Sequence, residues 1–153
     1  MSPGRTKTTW VVVADGAKAL ILVNEGTDRM PNLRVDWKSE IDAPPSREIN
    51  ADRPGRRSDS GPGQRSAMEP VDAHRIGSDR FIDSLADRID RAVQSGRSER
   101  LVLVAPPRVL GRLRASLTKA TADAVAAELR RDLTGQTVSD IEMQVAKALY
   151  AVQ

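Results

Sequence analysis

Cysteine is absent from this chain, and it holds only one histidine, one phenylalanine, one tyrosine and two tryptophans. Without thiols there are no disulfides, no thiol nucleophile and no cysteine-based zinc site. Their absence also fits a reducing compartment. Of the four aromatics, Trp10, Trp37 and Phe81 sit in apolar patterns and read as core, which leaves no stacking platform of the RRM kind. No run approaches the ~18 apolar residues of a membrane span. The residues before Trp10 hold no apolar segment, and Trp10 to Ala14 is too short for a signal core, so the expectation is a cytoplasmic protein with no secretory leader and no membrane contact. There is no G-x-x-x-x-G-K-[ST] loop, and Gly61-Pro62-Gly63 lacks the strand-then-helix setting of a dinucleotide fingerprint. No cofactor is expected.

What is present reads as a single α/β domain over residues 1–153. That length suits one core, with roughly 68–70% of the unfolded chain's surface buried. Trp10-Val11-Val12-Val13-Ala14 and Ala17 to Val23 are apolar runs separated by Asp15-Gly16, a two-residue turn signal, and predict a β-hairpin covered on both faces. Leu33, Val35 and Trp37 alternate with Arg34, Asp36 and Lys38, predicting a third strand over Leu33 to Glu40. From about residue 42 to 77 neither period is visible. The stretch carries five prolines and is rich in Gly, Ser and Arg, far beyond the ~12–15 residues of ordinary loops, and is expected to be a flexible insertion.

Ser78 to Ser95 predicts a helix, with Phe81, Ile82, Leu85, Ile89 and Val93 on one face, Ser78 as N-cap and Gly96 at the C′ position. Leu101 to Ala105 reads as a buried strand stopped by Pro106-Pro107. A helix follows from Pro107 to about Ala115, burying Val109, Leu110 and Leu113. Thr118 is placed to cap a short helix through Ala127, and propensity favours helix over Ala124 to Leu133. A last helix runs from near Thr137 to Tyr150, with Asp140 at the capping-box position and Ile141, Val145, Ala148 and Leu149 buried. The expected fold is mixed α/β, a sheet covered by helices.

Charge is unevenly spread. The net excess is only +3, but residues 53–66 hold Arg53, Arg56, Arg57 and Arg65 against the single acid Asp59. Residues 101–122 hold Arg108, Arg112, Arg114 and Lys119 and no acid. Arg108 and Arg112, four apart, share a helix face close to an N-terminus, where anions are favoured. The plainer reading of that face is solvated surface, and of the 53–65 stretch a soluble loop. Arginines in a mobile Gly/Ser segment are also a way to grip a phosphate backbone.

Catalytic constellations fare worse. Ser66, Asp72 and His74 form a triad on paper, but all lie in the stretch read as insertion, where nothing fixes the base. Glu69, Asp72 and His74 fail as metal ligands for the same reason, and no metal is expected. Asp15, at the end of the first strand, could serve as an RNase-H-type metal carboxylate. Its simpler role is to make the hairpin turn.

Three stretches together resemble the host attachment protein family, whose members are described as required for attachment to host cells. They are Trp10-Val-Val-Val-Ala-Asp-Gly-Ala-Lys-Ala, then Asp52-Arg-Pro-Gly-Arg with Ala67-Met-Glu-Pro70, and Leu101-Val-Leu-Val-Ala-Pro-Pro-Arg-Val-Leu-Gly-Arg-Leu-Arg114. That family in turn resembles the middle domain of archaeal and eukaryotic class-1 release factors. The resemblance implies an RNase-H-like, mostly five-stranded sheet, and a strand over Ala127 to Leu133 against its helical propensity. It also implies a Gly-Gly-Gln-type loop before a long helix, where this chain has Gly61-Pro62-Gly63-Gln64-Arg65. Pro62 stands between the glycines, fixing φ and removing an N–H, which works against the backbone geometry that would place a hydrolytic water.

The leading expectation is a non-enzymatic, release-factor-like domain that binds ribosome or RNA through Arg53, Arg56, Arg57 and Arg65 together with Arg108 and Arg112. The alternatives are peptidyl-tRNA hydrolysis through Gly63 and Gln64, and a protein–protein interaction module acting in attachment.

Overall fold

The computed structural model describes residues 7–41 and 70–151, with backbone alone for 70–74. Its elements run β1 (Thr9–Ala14), β2 (Lys18–Asn24), β3 (Leu33–Glu40), α1 (Pro70–Gln94), β4 (Arg100–Val104), α2 (Pro107–Ser116), α3 (Lys119–Asp123), β5 (Val125–Leu129) and α4 (Val138–Ala151). The strands form one mixed five-stranded sheet in the order β3-β2-β1-β4-β5. β1 pairs antiparallel with β2, and β2 with β3, whereas β1–β4 and β4–β5 are parallel. The fold is α/β.

Strand alternation divides the core into two layers. On one face Trp10, Val12, Ala14, Leu101 and Leu103 pack with Ile82, Leu85 and Ile89 of α1 and with Val109, Leu110 and Leu113 of α2. On the other, Val11, Val13, Leu22, Val102 and Val104 pack with Ile141, Val145 and Leu149 of α4. Both central strands are buried along their apolar length, which explains why they read as unbroken apolar runs rather than as alternations. β3, at the edge, is mostly exposed and does alternate.

Several boundaries differ from the sequence-based expectation, each for a local reason. α1 starts at Pro70, two turns before Ser78, with proline at the helix start, where its missing N–H costs nothing. Ser78 is therefore an interior residue rather than a cap, and Asp72 and His74 lie on a helix instead of in the insertion. Gly96 does terminate α1, at φ 83°, with its N–H donating to the Val93 carbonyl at 3.1 Å. Helix α3 stops at Asp123, short of the expected Ala127. The residues from Val125 join β4 as a strand because pairing along β4 outweighs their helical propensity. That strand lies at Val125–Leu129, not over 127–133, although Leu133 is buried in the α4-side core. Thr118 caps α3 as expected, accepting from the Thr121 N–H, and the Asp140 N–H donates to Thr137 Oγ1 at the start of α4.

The β1–β2 turn is shifted by one residue. The Asp15 N–H donates to the Lys18 carbonyl at 2.9 Å, so Gly16 and Ala17 occupy the tip, and Asp15 Oδ1 accepts from the N–H groups of Ala17 and Lys18, each at 2.7 Å. Gly16 does not use a positive φ. Proximity favours glycine, since a Cβ there would lie 2.8 Å from Ser78 Oγ on α1 and would turn that hydroxyl away from Arg108. Gly16→Ala should therefore destabilise the domain by about 1–3 kcal/mol in urea unfolding, the cost of overpacking. On a Ser78→Ala background, where the remaining contact is an ordinary 3.6 Å, the further loss should fall below about 1 kcal/mol. Equal losses in both backgrounds would show that Ser78 is not what excludes a side chain at residue 16.

Candidate functional site

The carboxyl ends of β1 and β4, the end of β3 and the beginning of β2 share one edge of the sheet. The N-terminal flank of residues 42–69 is tied there, and α1 touches it two turns after its start. The Ile41 N–H, one residue past β3, donates to the Ala17 carbonyl at 2.7 Å, and Ser78 of α1 abuts Gly16. The eight residues of α1 before Ser78 amount to roughly 12 Å of helix at 1.5 Å per residue. Arg53, Arg56, Arg57 and Arg65, together with Gly63 and Gln64, lie outside the described residues.

Across this edge the α1 and α2 surfaces are joined by alternating charges. Arg108 donates through Nη2 to Ser78 Oγ at 3.0 Å and through Nη1 to Asp79 Oδ1 at 3.2 Å. Arg112 Nη1 lies 3.6 Å from Asp79 Oδ2. Arg112 also grips Asp83 with two bonds, Nε to Oδ1 at 3.0 Å and Nη2 to Oδ2 at 2.8 Å, while Ser116 Oγ donates to Asp83 Oδ1 at 2.9 Å. The Arg112 and Ser116 donors hold the Asp83 carboxyl below the usual carboxylate range. Asp83 in turn raises Arg112.

Arg108 and Arg112 are thus brought together on one face, as their spacing predicted, but not as bare cations. Each faces an aspartate of α1. The same holds along the whole acid-free stretch, where Arg114 pairs with Glu128 at 2.7 Å and Lys119 with Asp123 at 3.5 Å. A signal for this was present in the sequence: Asp79 and Asp83 carry the same i,i+4 spacing as Arg108 and Arg112, so two packed helices could match them rung for rung.

Asp15 is held both by its own turn and by Thr134 from the far end of the chain. Oδ1 holds the turn, and Oδ2 accepts from Thr134 Oγ1 at 3.1 Å, a hydroxyl that also lies 2.6 Å from Asp132 Oδ1. Among the described residues no group of three or more His, Cys, Asp or Glu is placed to hold a metal ion. Among the described residues no helix is long and apolar enough to cross a membrane.

The family model for bacterial archaeo-eukaryotic release factor family 12 matches residues 8–145. The chain belongs to that family. Of the two families its motifs pointed to, the match carries the release-factor one. No curated protein matches the sequence. Among solved structures, an archaeal translation termination factor, aRF1, is similar at 11% identity and a TM-score of 0.46, over 92% of this chain and 37% of that one. This family 12 chain spans a little over a third of that factor's length.

The charge ladder has a pH signature. A carboxyl lowered by folding contributes stability above its unfolded pKa, near 3.9, and that contribution is lost as pH falls through the lower folded value. The loss of unfolding free energy between pH 6 and pH 2.5 should therefore be smaller in Asp83→Asn than in wild type. Urea midpoints at the two pH values measure it, and an identical loss in both proteins would refute the Arg112–Asp83 bond as a source of stability.

Proposed function

We propose that this family 12 domain binds ribosome or RNA in the manner of a release-factor-like module, without itself catalysing a reaction, and that Arg53, Arg56, Arg57 and Arg65 make the principal contacts. The observation that carries this reading is a run of four arginines against one aspartate over residues 53–66, within a 42–69 stretch that leaves the sheet where the Ile41 N–H is bonded to the Ala17 carbonyl, in a chain of a release-factor family. Arg108 and Arg112 contribute second. Their side chains are 51% and 41% exposed, but each must loosen its hold on an aspartate before it can accept a phosphate.

Binding of this kind releases counterions, so affinity falls steeply with salt, by roughly 0.7 in log K per log salt for each contact to a single strand. Wild type should co-sediment with ribosomes at low salt and dissociate as salt rises. Replacing Arg53, Arg56, Arg57 and Arg65 together with glutamine should weaken the association at least tenfold and flatten the salt dependence. Absence of co-sedimentation at low salt would remove the proposal, and recovery of proteins alone after nuclease treatment would favour an interaction module acting in attachment.

The hydrolytic alternative draws on the family and on Gly63-Gln64. With Pro62 before that pair, the non-catalytic reading predicts that Gln64→Ala leaves peptide release from stalled ribosomes unchanged. A loss of release tenfold or greater would establish catalysis instead.

A further inference from the structure

Leu33, Val35 and Trp37 alternate with polar residues as though all three lay on one face, but the β2–β3 register breaks that alternation. Leu22 lies opposite Val35 and Ile21 opposite Trp37, so Asp36 is an extra residue in β3. Leu33 therefore packs in the α4-side core, whereas Trp37 packs on the α1 side with Ile21. A bulge of this kind re-aims a side chain, and here it turns the aromatic ring of β3 towards α1.

Arg88 of α1 meets that ring, with its Cζ 4.2 Å from the Trp37 centroid. Trp37 is half-buried rather than enclosed, and Arg88 is exposed. Among the described residues the Arg88 guanidinium has no carboxylate partner. Its neighbours three and four residues away on the helix are Ser84, Leu85, Arg91 and Ala92, none of them acidic. That separates it from Arg108, Arg112 and Arg114, each matched by an acid, and from Arg91, which faces Asp87 at 3.8 Å. The ring beneath it is what holds Arg88, so its outer face and its donors are left to solvent.

The pair also lies close to the basic segment. Trp37 is three residues before the end of β3, about 10 Å from where the chain leaves for residues 42–69. Phe81, half-buried on the same core, shares the helix face of Arg88 and lies roughly 10 Å nearer the carboxyl edge of the sheet.

We propose that Arg88, seated on Trp37, is a stacking platform for one base of a single RNA strand. Bases stack on arginine planes as they do on aromatic rings, and a guanidinium already resting on tryptophan offers its outer plane without first having to be ordered. Its edge donors then face the phosphate next to the stacked base. Recognition comes from the flat face of the cation and not from an excess of charge. The inference rests on the RNA-binding reading and adds a base contact to its phosphate contacts.

The test uses the full chain and a fluorescein-labelled oligoadenylate of about eight nucleotides, with anisotropy measured over a salt series. Arg88→Lys keeps the charge and loses the plane. It should bind at least about fivefold more weakly, the low end of what one stacked base contributes, with the salt slope unchanged. On a strand with the same phosphates and no bases, wild type should lose its advantage over Arg88→Lys. Arg91→Lys, one turn further along α1, should leave affinity unchanged. An Arg88→Lys protein that binds oligoadenylate as tightly as wild type overturns the platform. So does an equal loss on strands with and without bases, because a role confined to folding or to charge moves both alike. If adenosine monophosphate binds as tightly as the strand, a free nucleotide replaces the strand as ligand. A wild type that binds no RNA sinks this reading together with the RNA-binding one. Binding that depends on Arg53, Arg56, Arg57 and Arg65 but not on Arg88 sinks only this one.

Discussion

Everything in this domain is arranged around the parallel pairing of β1 with β4. Val11, Val12 and Val13 lie against Val102, Leu103 and Val104, and all six are fully buried. Two strands buried on both faces need a cover above and below, which α1 and α2 supply on one side and α4 on the other. Because β1 and β4 run the same way, their carboxyl ends fall together, and the connections that leave them crowd one edge. In open α/β sheets this is the edge where ligands are commonly held. Here it is where the chain leaves β3 for residues 42–69, and where the charge ladder begins.

The electrostatics of that edge depend on which charges the fold neutralises. On the α1–α2 side every described cation of the 101–122 stretch has an acid beside it, so that surface is close to neutral despite its sequence. Exposed pairs of this kind contribute little each, about 0–1 kcal/mol. The packing of Ile82, Leu85 and Ile89 on Val109, Leu110 and Leu113 joins α1 to α2, and the two-bond Arg112–Asp83 pair lies over that seam. Gly16 admits Ser78 close to the β1–β2 turn, a second contact that holds α1 two turns inside its length.

How much of this was legible varied with the kind of signal. β3, the Pro107 helix and the last helix followed from periodicity, while the hairpin and β4 followed from unbroken apolar runs bounded by turn and proline signals. β5 was not legible from propensity. Val125–Leu129 is a strand only because β4 offers it a ladder, a fact of tertiary structure that family resemblance anticipated in kind but misplaced by several residues. The start of α1 was misread because Ser78 looks like a cap, whereas its hydroxyl serves Arg108 in the helix interior. The Arg108/Arg112 face was found, but its neutralisation was not, since a run counted as acid-free in sequence can be surrounded by acids in space.

The β1–β4 ladder also sets an order of events during synthesis. Thr9 and Arg100, paired at one end of it, are 91 residues apart, so the middle of the sheet cannot close until most of the chain has left the ribosome. Until then the β1–β2–β3 meander stands alone with both faces of β1 apolar and uncovered, a form with little independent stability. Such distant pairing makes for slow folding and prolonged exposure of sticky surface. A nascent chain of this design depends on the arrival of α1 and β4 to hide its first strand, which makes the interval between residues 40 and 104 the period in which it is most exposed to chaperones or to aggregation.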